Sequence, residues 1–224
     1  MKVSDPKIIE NISQLLHDKK EQVRGKAADA LRNVGKEAVP NLIKELESAN
    51  TVMKKIIISA LGGIGSEAKE AIPTIIKLLK IPGLDLSREL TSFSFWFGFD
   101  SFRKDPLGRK ASIRVEAARA LGKIGYDSED SVNALKDALK NPRKIVRREA
   151  ALSLGKLGDS ANIAIPSLLD ALKDRNPDVR WRASEALGLI GVNTEEVISN
   201  LNELIHDECD YVCEAAINAL DELS

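Results

Sequence analysis

Apolar residues recur three or four positions apart along most of the chain, in short stripes broken at near-regular intervals by glycine or proline. Val146, Ala150, Ala151, Leu154 and Leu157 form one such stripe, the spacing of a helix with a single buried face. The block then repeats. VRGKAADALRNVG from Val23, MKKIIISALGGIG from Met53, IRVEAARALGKIG from Ile113, VRREAALSLGKLG from Val146, VRWRASEALGLIG from Val179 and VCEAAINALDELS from Val212 align without gaps. Their shared leucines (Leu31, Leu61, Leu121, Leu154, Leu187, Leu220) stand 30, 60, 33, 33 and 33 residues apart. A step of 60 is one 33-residue unit plus 27 extra residues, so one unit carries an insertion. Self-similarity at this period signals a repeat architecture.

Small residues sit inside each stripe, at Ala27 and Ala28, Ala117 and Ala118, Ala150 and Ala151, Ala183 and Ser184, Ala215 and Ala216. Such side chains let a neighbouring helix approach closely, near the lower end of helix packing distances, ~8 Å. Gly35, Gly65, Gly125, Gly158 and Gly191 follow the stripes, where a left-handed cap ends a helix. A second helix comes next, opened by Pro40, Pro73 and Pro166 where a missing N–H costs nothing. Its stripe reads Ile165, Leu168, Leu169, Leu172 in one unit and Val132, Leu135, Leu139 in another. Ile9, Ile12 and Leu16 place a helix of this second type at the start of the chain. About a dozen helices are predicted in all.

A two-helix unit of this length cannot bury its apolar face alone, and stacking neighbours completes the core. The sequence therefore predicts an all-α, right-handed α-α superhelix of about six repeats: one solenoid over residues 1–224, with the insertion at 81–111 between the second and third full repeats.

The VR-x-x-AA-x-ALG-x-IG pattern resembles the HEAT-repeat family, and more closely the short HEAT-like repeats of phycobilisome-lyase type. The resemblance covers nearly the whole chain outside roughly residues 81–111. It implies a binding scaffold. It also implies a ladder of Asp/Arg pairs along one edge, carried here by Asp18 and Arg24, Asn141 and Arg147, Asp174 and Arg180, each pair six residues apart. A planar guanidinium fork donating to a carboxylate explains Arg over Lys. Arg114 is expected to lack a partner, since the insertion puts Gly108 in that place. Asp207 faces Cys213, so the ladder is expected to stop there.

Composition narrows the class. Hydrophobic residues make up 43% of the 224 and aromatics only 4%, so the core is aliphatic. A net charge of −1 with this apolar content argues against disorder. No apolar run reaches the ~18 residues of a membrane span. The start, MKVSDPKIIE, does not read as a secretory signal, and two cysteines fit a reducing, cytoplasmic setting.

Charge is unevenly spread: net +2 over residues 1–102, +7 over 103–148 and −10 over 149–224. The basic band holds Arg103, Lys104, Arg109, Lys110, Arg143, Lys144, Arg147 and Arg148. An acidic third would repel a long polyanion, whereas steering of a protein partner, or self-association, needs only this asymmetry. A protein or peptide partner is therefore preferred over nucleic acid.

Residues 84–110 read LDLSRELTSFSFWFGFDSFRKDPLGRK. Phe93, Phe95, Trp96, Phe97, Phe99 and Phe102, six of the nine aromatics, fall within ten residues. Alternation from Phe93 to Phe99 suits an extended segment with one apolar face, and Pro106 with Gly108 predicts a turn. The rings either pack as a satellite core or grip a partner. A lid over the groove would satisfy both.

Catalytic constellations are sparse. His17 and His206 are the only histidines, whereas HEAT-repeat metal hydroxylases are expected to carry several His-Glu pairs. His206, Cys209, Asp210 and Cys213 lack a common zinc spacing, and neither a metal nor a cofactor is expected. Gly63, Gly65 and Ala68 spell a dinucleotide fingerprint, but a helix rather than a strand precedes it. Trp181 takes a slot filled elsewhere by Gly25, Lys55, Val115, Arg148 and Glu214, which reads as a surface site packed on Arg180 or Arg182.

The functional expectation is a non-catalytic protein-binding scaffold. Its groove is expected on the second-type helices, at Asn41, Lys44, Lys77, Lys136, Asp170, Lys173 and Asn202, aided by the aromatic insertion. The alternatives are a bilin-lyase-like enzyme or chaperone, implied by the repeat subtype, and nucleic-acid binding through the basic band, centred on Arg103, Lys104, Arg143, Lys144 and Arg148.

Overall fold

The computed structural model describes residues 5–81 and 106–224, with side chains of the second block from residue 113. The aromatic insertion, Phe93 to Phe102, and the basic residues Arg103 and Lys104 lie outside the described residues. Among those described, every regular element is helical. In chain order they are α1 (Pro6–Gln14), α2 (Glu21–Val34), α3 (Val39–Ser48), α4 (Thr51–Ile64), α5 (Ile72–Leu79) and α6 (Pro106–Ile124). The second half holds α7 (Glu129–Ala138), α8 (Lys144–Leu157), α9 (Ile165–Leu172), α10 (Pro177–Ile190), α11 (Glu195–Leu204) and α12 (Asp210–Glu222).

Even-numbered helices carry the repeated block, and each packs on the next to form one layer: α2 on α4, α4 on α6, α6 on α8, α8 on α10, α10 on α12. Odd-numbered helices form the other layer, joined to the first through the aliphatic stripes. Leu31, Leu61, Leu121 and Leu154 are fully buried. So are Ala117, Ala150, Ala183 and Ala216. Each buried leucine contributes about 1.5–3 kcal/mol relative to an exposed one, and most of that burial comes from a neighbouring unit. The architecture is an α-solenoid.

Helix starts are set by local chemistry. The Asn50 side chain accepts from the N–H groups of Val52 and Met53, both at 3.0 Å, which opens α4. Ser128 and Thr194 open α7 and α11 in the same way.

Helix ends depart from the expected left-handed caps. Gly191 alone takes that conformation, with φ 77 and ψ 20. Gly35, Gly65 and Gly158 combine positive φ with ψ near −140, a region open essentially to glycine. It turns the chain at once into a short 3-10 segment leading to the next helix. Gly125 has no positive φ, and Asp127 takes φ 60 instead. At Gly125 the constraint is space: an added Cβ would meet the Ser131 side chain at 2.5 Å.

The turn expected at Pro106 and Gly108 is also absent. Both lie in α6, which Pro106 opens, because proline lacks only an N–H that the first helical turn does not use.

Candidate functional site

The complete rungs of the ladder, at Arg147 and Arg180, use three atoms of each arginine. In α8, Arg147 Nε and Nη2 donate to the two carboxylate oxygens of Asp174 at 2.6 and 2.8 Å, and Nη1 donates to the backbone carbonyl of Asn141 at 2.9 Å. Arg180 repeats the arrangement with Asp207, at 2.7 and 2.8 Å, and with the carbonyl of Asp174 at 2.9 Å. Arg24 Nη1 donates to the carbonyls of Asp18 and Lys19.

Residues six apart therefore meet through backbone carbonyls, and the carboxylate comes from 27 residues ahead, in the next unit. Asp174 and Asp207 also accept from the N–H of Asn176 and Cys209, which fixes the turns before α10 and α12. Hydrogen bonds from Arg180 hold the Asp207 carboxyl below the usual carboxylate range, and the same bonds raise the Arg180 guanidinium. For Asp174, burial pushes the carboxyl up, but hydrogen bonds from Arg147 and the Asn176 N–H outweigh it, so the net shift is downward.

The ladder closes on Asp207, and Cys213 Sγ donates to the Asp207 carbonyl at 3.1 Å in the place of an arginine.

The second feature is a groove of about 480 Å³ running across α2, α4 and α6. Gly25, Ala28 and Ala60 keep its floor and walls low. Asp29, Arg32, Lys55, Ser59, Glu116, Arg119 and Lys123 supply its polar groups. Arg119 is fixed by three contacts: to both oxygens of Glu149 at 2.9 and 3.1 Å and to Glu116 at 2.8 Å. Glu149 is only 2% exposed, so this bidentate pair is partly desolvated, and its hydrogen bond raises the Arg119 guanidinium. Arg32 pairs with Asp29 at 3.1 Å.

The small residues that let these helices approach occupy a seam the repeat stripes did not reveal. Gly62 faces Ala120, Gly122 faces Ser153, Gly155 faces Ala186, and Gly188 faces Ala219, with added-Cβ distances of 3.3, 2.7, 2.9 and 3.0 Å to those residues. The signal was present in the chain, because a small residue recurs eight places into every block (Ala30, Ala60, Ala120, Ser153, Ala186, Ala219).

None of Asn41, Lys44, Lys77, Lys136, Asp170, Lys173 and Asn202 lines this groove. Six sit on odd-numbered helices and Lys173 directly follows α9; five of the seven are exposed, while Asn41 and Lys136 are half-buried. The described groove belongs to the other layer, the one with the glycine–alanine seam. In the basic band, Lys144 is exposed, and Arg143 and Arg148 are half-buried.

Trp181, in α10, has the Arg182 guanidinium 3.6 Å above its ring and meets Tyr211 edge-on, with centroids 5.7 Å apart. His17 sits 2.7 Å from Glu45. Among the described residues no cluster of three His, Cys, Asp or Glu could hold a metal ion, and no helix is long and apolar enough to cross a membrane.

Solved structures share this architecture. An engineered protein of a structural genomics consortium matches with a TM-score of 0.63 at 19% identity, covering 96% of this chain and 98% of that one. YibA of Escherichia coli gives 0.62 at 20% identity, covering 94% and 69%. A designed armadillo repeat protein in complex with the peptide (KR)4 gives 0.61 at 17% identity, covering 96% and 99%. No curated protein matches the chain.

The family model for HEAT repeats matches twice, over residues 108–171 and 165–224, and describes HEAT repeats as such rather than the lyase-type subfamily. These matches span more than half of the sequence and fall on the units whose arginine ladder and seam are described above, so the chain belongs to the HEAT-repeat family.

Proposed function

We propose that this protein is a non-catalytic scaffold that binds another protein or a peptide along the outer face of its even-numbered helices. The observation that carries the reading is the groove across α2, α4 and α6, whose polar side chains are already held in place by Arg119–Glu149, Arg119–Glu116 and Arg32–Asp29. A surface ordered before its partner arrives loses less entropy on binding. The peptide held by the designed armadillo protein fits the same kind of use for a helical repeat stack. The aromatic insertion is proposed to add to this contact.

A photo-cross-linker on Ser59→Cys, in the groove, is expected to capture a partner protein that the same group on Lys77→Cys, on the odd-numbered face, does not. Equal capture at both positions would overturn the assignment of the face. Deleting residues 84–110 is expected to leave helical circular dichroism intact and to weaken capture.

A further inference from the structure

Both carboxylates on the even-helix face from α4 to α8 are already engaged, and four of the five cations there are not. Glu116 and Glu149 are both bound by Arg119. Lys55 on α4, Lys123 on α6, and Arg148 and Lys156 on α8 have no acidic side chain within ion-pair distance among the described residues. Ser59, Gly63, Val115 and Leu152 occupy the remaining outward positions of the same helices and add no charge. Five cations against two carboxylates leave this face of the three neighbouring helices with a net charge of +3; Lys55 and Lys123 line the groove, and Arg148 and Lys156 continue the basic face onto α8.

Their placement has order. Lys55 and Arg148 come from the third position of the repeated block, and Lys123 and Lys156 from the eleventh. Eight helical residues separate the two positions, roughly 12 Å along a helix axis. The helices of this layer run parallel, so the cations form two rails with the groove between them. An extended segment lying along the stack puts successive side chains on opposite sides and reaches both rails. Adjacent helices stand about 8–10 Å apart, which an extended chain crosses in about three residues at ~3.3 Å each. The pattern reverses beyond α8: Glu185 on α10 is taken by Arg182, and Glu214 and Glu222 on α12 are acidic and exposed or outward.

From this charge pattern we infer that the occupant of the even-helix face is an extended acidic segment of a partner protein, seated in the groove at α4 and α6 and continuing over α8, with Asp or Glu recurring every two or three residues. The inference rests on the even-helix face being the binding face.

The test is fluorescence anisotropy of the full chain with three labelled probes: a peptide of alternating Glu and Ala, its Lys–Ala counterpart, and single-stranded oligothymidine. The acidic peptide is expected to bind, more weakly as salt rises. Lys55→Glu/Lys123→Glu is expected to weaken it about tenfold or more, since two attractive pairs are lost and each reversal adds repulsion. Lys77→Glu/Lys173→Glu, on the odd-numbered face, is expected to change it by less than about twofold.

Failure of the acidic peptide to bind, or indifference to the Lys55/Lys123 reversal, overturns the inference. So does tighter, equally reversal-sensitive binding of oligothymidine, which would make the face a nucleic-acid site. Binding of the Lys–Ala peptide alone, abolished by Trp181→Ala, overturns the acidic occupant while leaving the face in use. Loss of Ser59 capture as well would bring down the proposed function itself.

Discussion

Arg147 and Asp174 belong to adjacent units of the stack and are joined at two points, Nε and Nη2 to the two carboxylate oxygens at 2.6 and 2.8 Å. Both side chains are about nine-tenths buried, at 9% and 11% exposure. The same carboxylate caps the turn into α10 by accepting from Asn176 N–H at 2.8 Å. One aspartate thus couples unit to unit and fixes a helix start. Asp174→Ala leaves a shielded guanidinium without its partner and is expected to cost about 2–3 kcal/mol, less than a fully buried pair because the edge retains some water. Arg147→Lys keeps the charge but only one contact, and is expected to cost about half as much. Urea unfolding followed by circular dichroism measures both. A negligible cost for Arg147→Lys would show that the two-point geometry adds nothing to the charge.

Acid should loosen the C-terminal units through the same residues. The Asp174 and Asp207 carboxyls are held below their unfolded-chain value, about 3.9, by Arg147 and Arg180 and by backbone N–H groups. Their contribution is complete above that value and fades as pH falls through the lower folded-state values. Unfolding free energy measured from neutral pH downward is expected to stay level and then drop below about pH 4. In Asp174→Asn/Asp207→Asn the starting value is lower and this acid slope shallower. An unchanged slope in the double variant would assign the acid sensitivity to other carboxylates.

The repeat, the helices of the described residues and the aliphatic core were legible from the chain because spacing encodes them directly: Leu31 to Leu220 mark register, and a stripe of period 3.6 has only one inside. The ladder was half legible. Sequence distance places Asp174 six residues before Arg180, but only the stacking distance of the solenoid places it against Arg147, because a contact across units depends on three-dimensional pitch. The face of the groove was not legible from the apolar stripes. Both helix types carry one, and which layer packs more closely is decided by Gly62, Gly122, Gly155 and Gly188, residues that a hydrophobic pattern does not weigh.

Asn141 is a position where the ladder lacks a carboxylate. It lies 27 residues after Arg114, the offset that joins Arg147 to Asp174 and Arg180 to Asp207. Arg114 is buried, donates through Nη2 to the Ile81 carbonyl, and has no partner for Nε among the described residues. Burial, and then the nearby Arg143, lower its guanidinium pKa. Asn141 Oδ1 already accepts from Arg143 N–H at 3.0 Å, a bond an aspartate would keep. Asn141→Asp is expected to raise stability by about 1 kcal/mol by giving Arg114 a charged acceptor. A thermal melt checks it, and a lowered midpoint would mean that Arg114 is already satisfied elsewhere.

Glycine substitutions separate the seam from the groove. At Gly155 a new Cβ would stand 2.9 Å from the Ala186 backbone, and at Gly122 equally close to the Ser153 backbone. Neither neighbour can swing away, so α8 would have to part from α10, or α6 from α8, and each alanine variant is expected to cost about 2–3 kcal/mol. At Gly62 the nearest atom is the Ala120 backbone at 3.3 Å, close enough to strain but not to part the helices, and Gly62→Ala should cost less. Gly25 has nothing within 4 Å of a new Cβ, lies inside α2 and lines the groove. Alanine there removes a helix-interior glycine, a gain of about 0.5–1 kcal/mol, while putting a methyl group where a bound segment would lie. Gly25→Ala is therefore expected to melt higher and bind its partner less well. Higher stability with undiminished capture would show that the α2 end of the groove is not in contact with the partner.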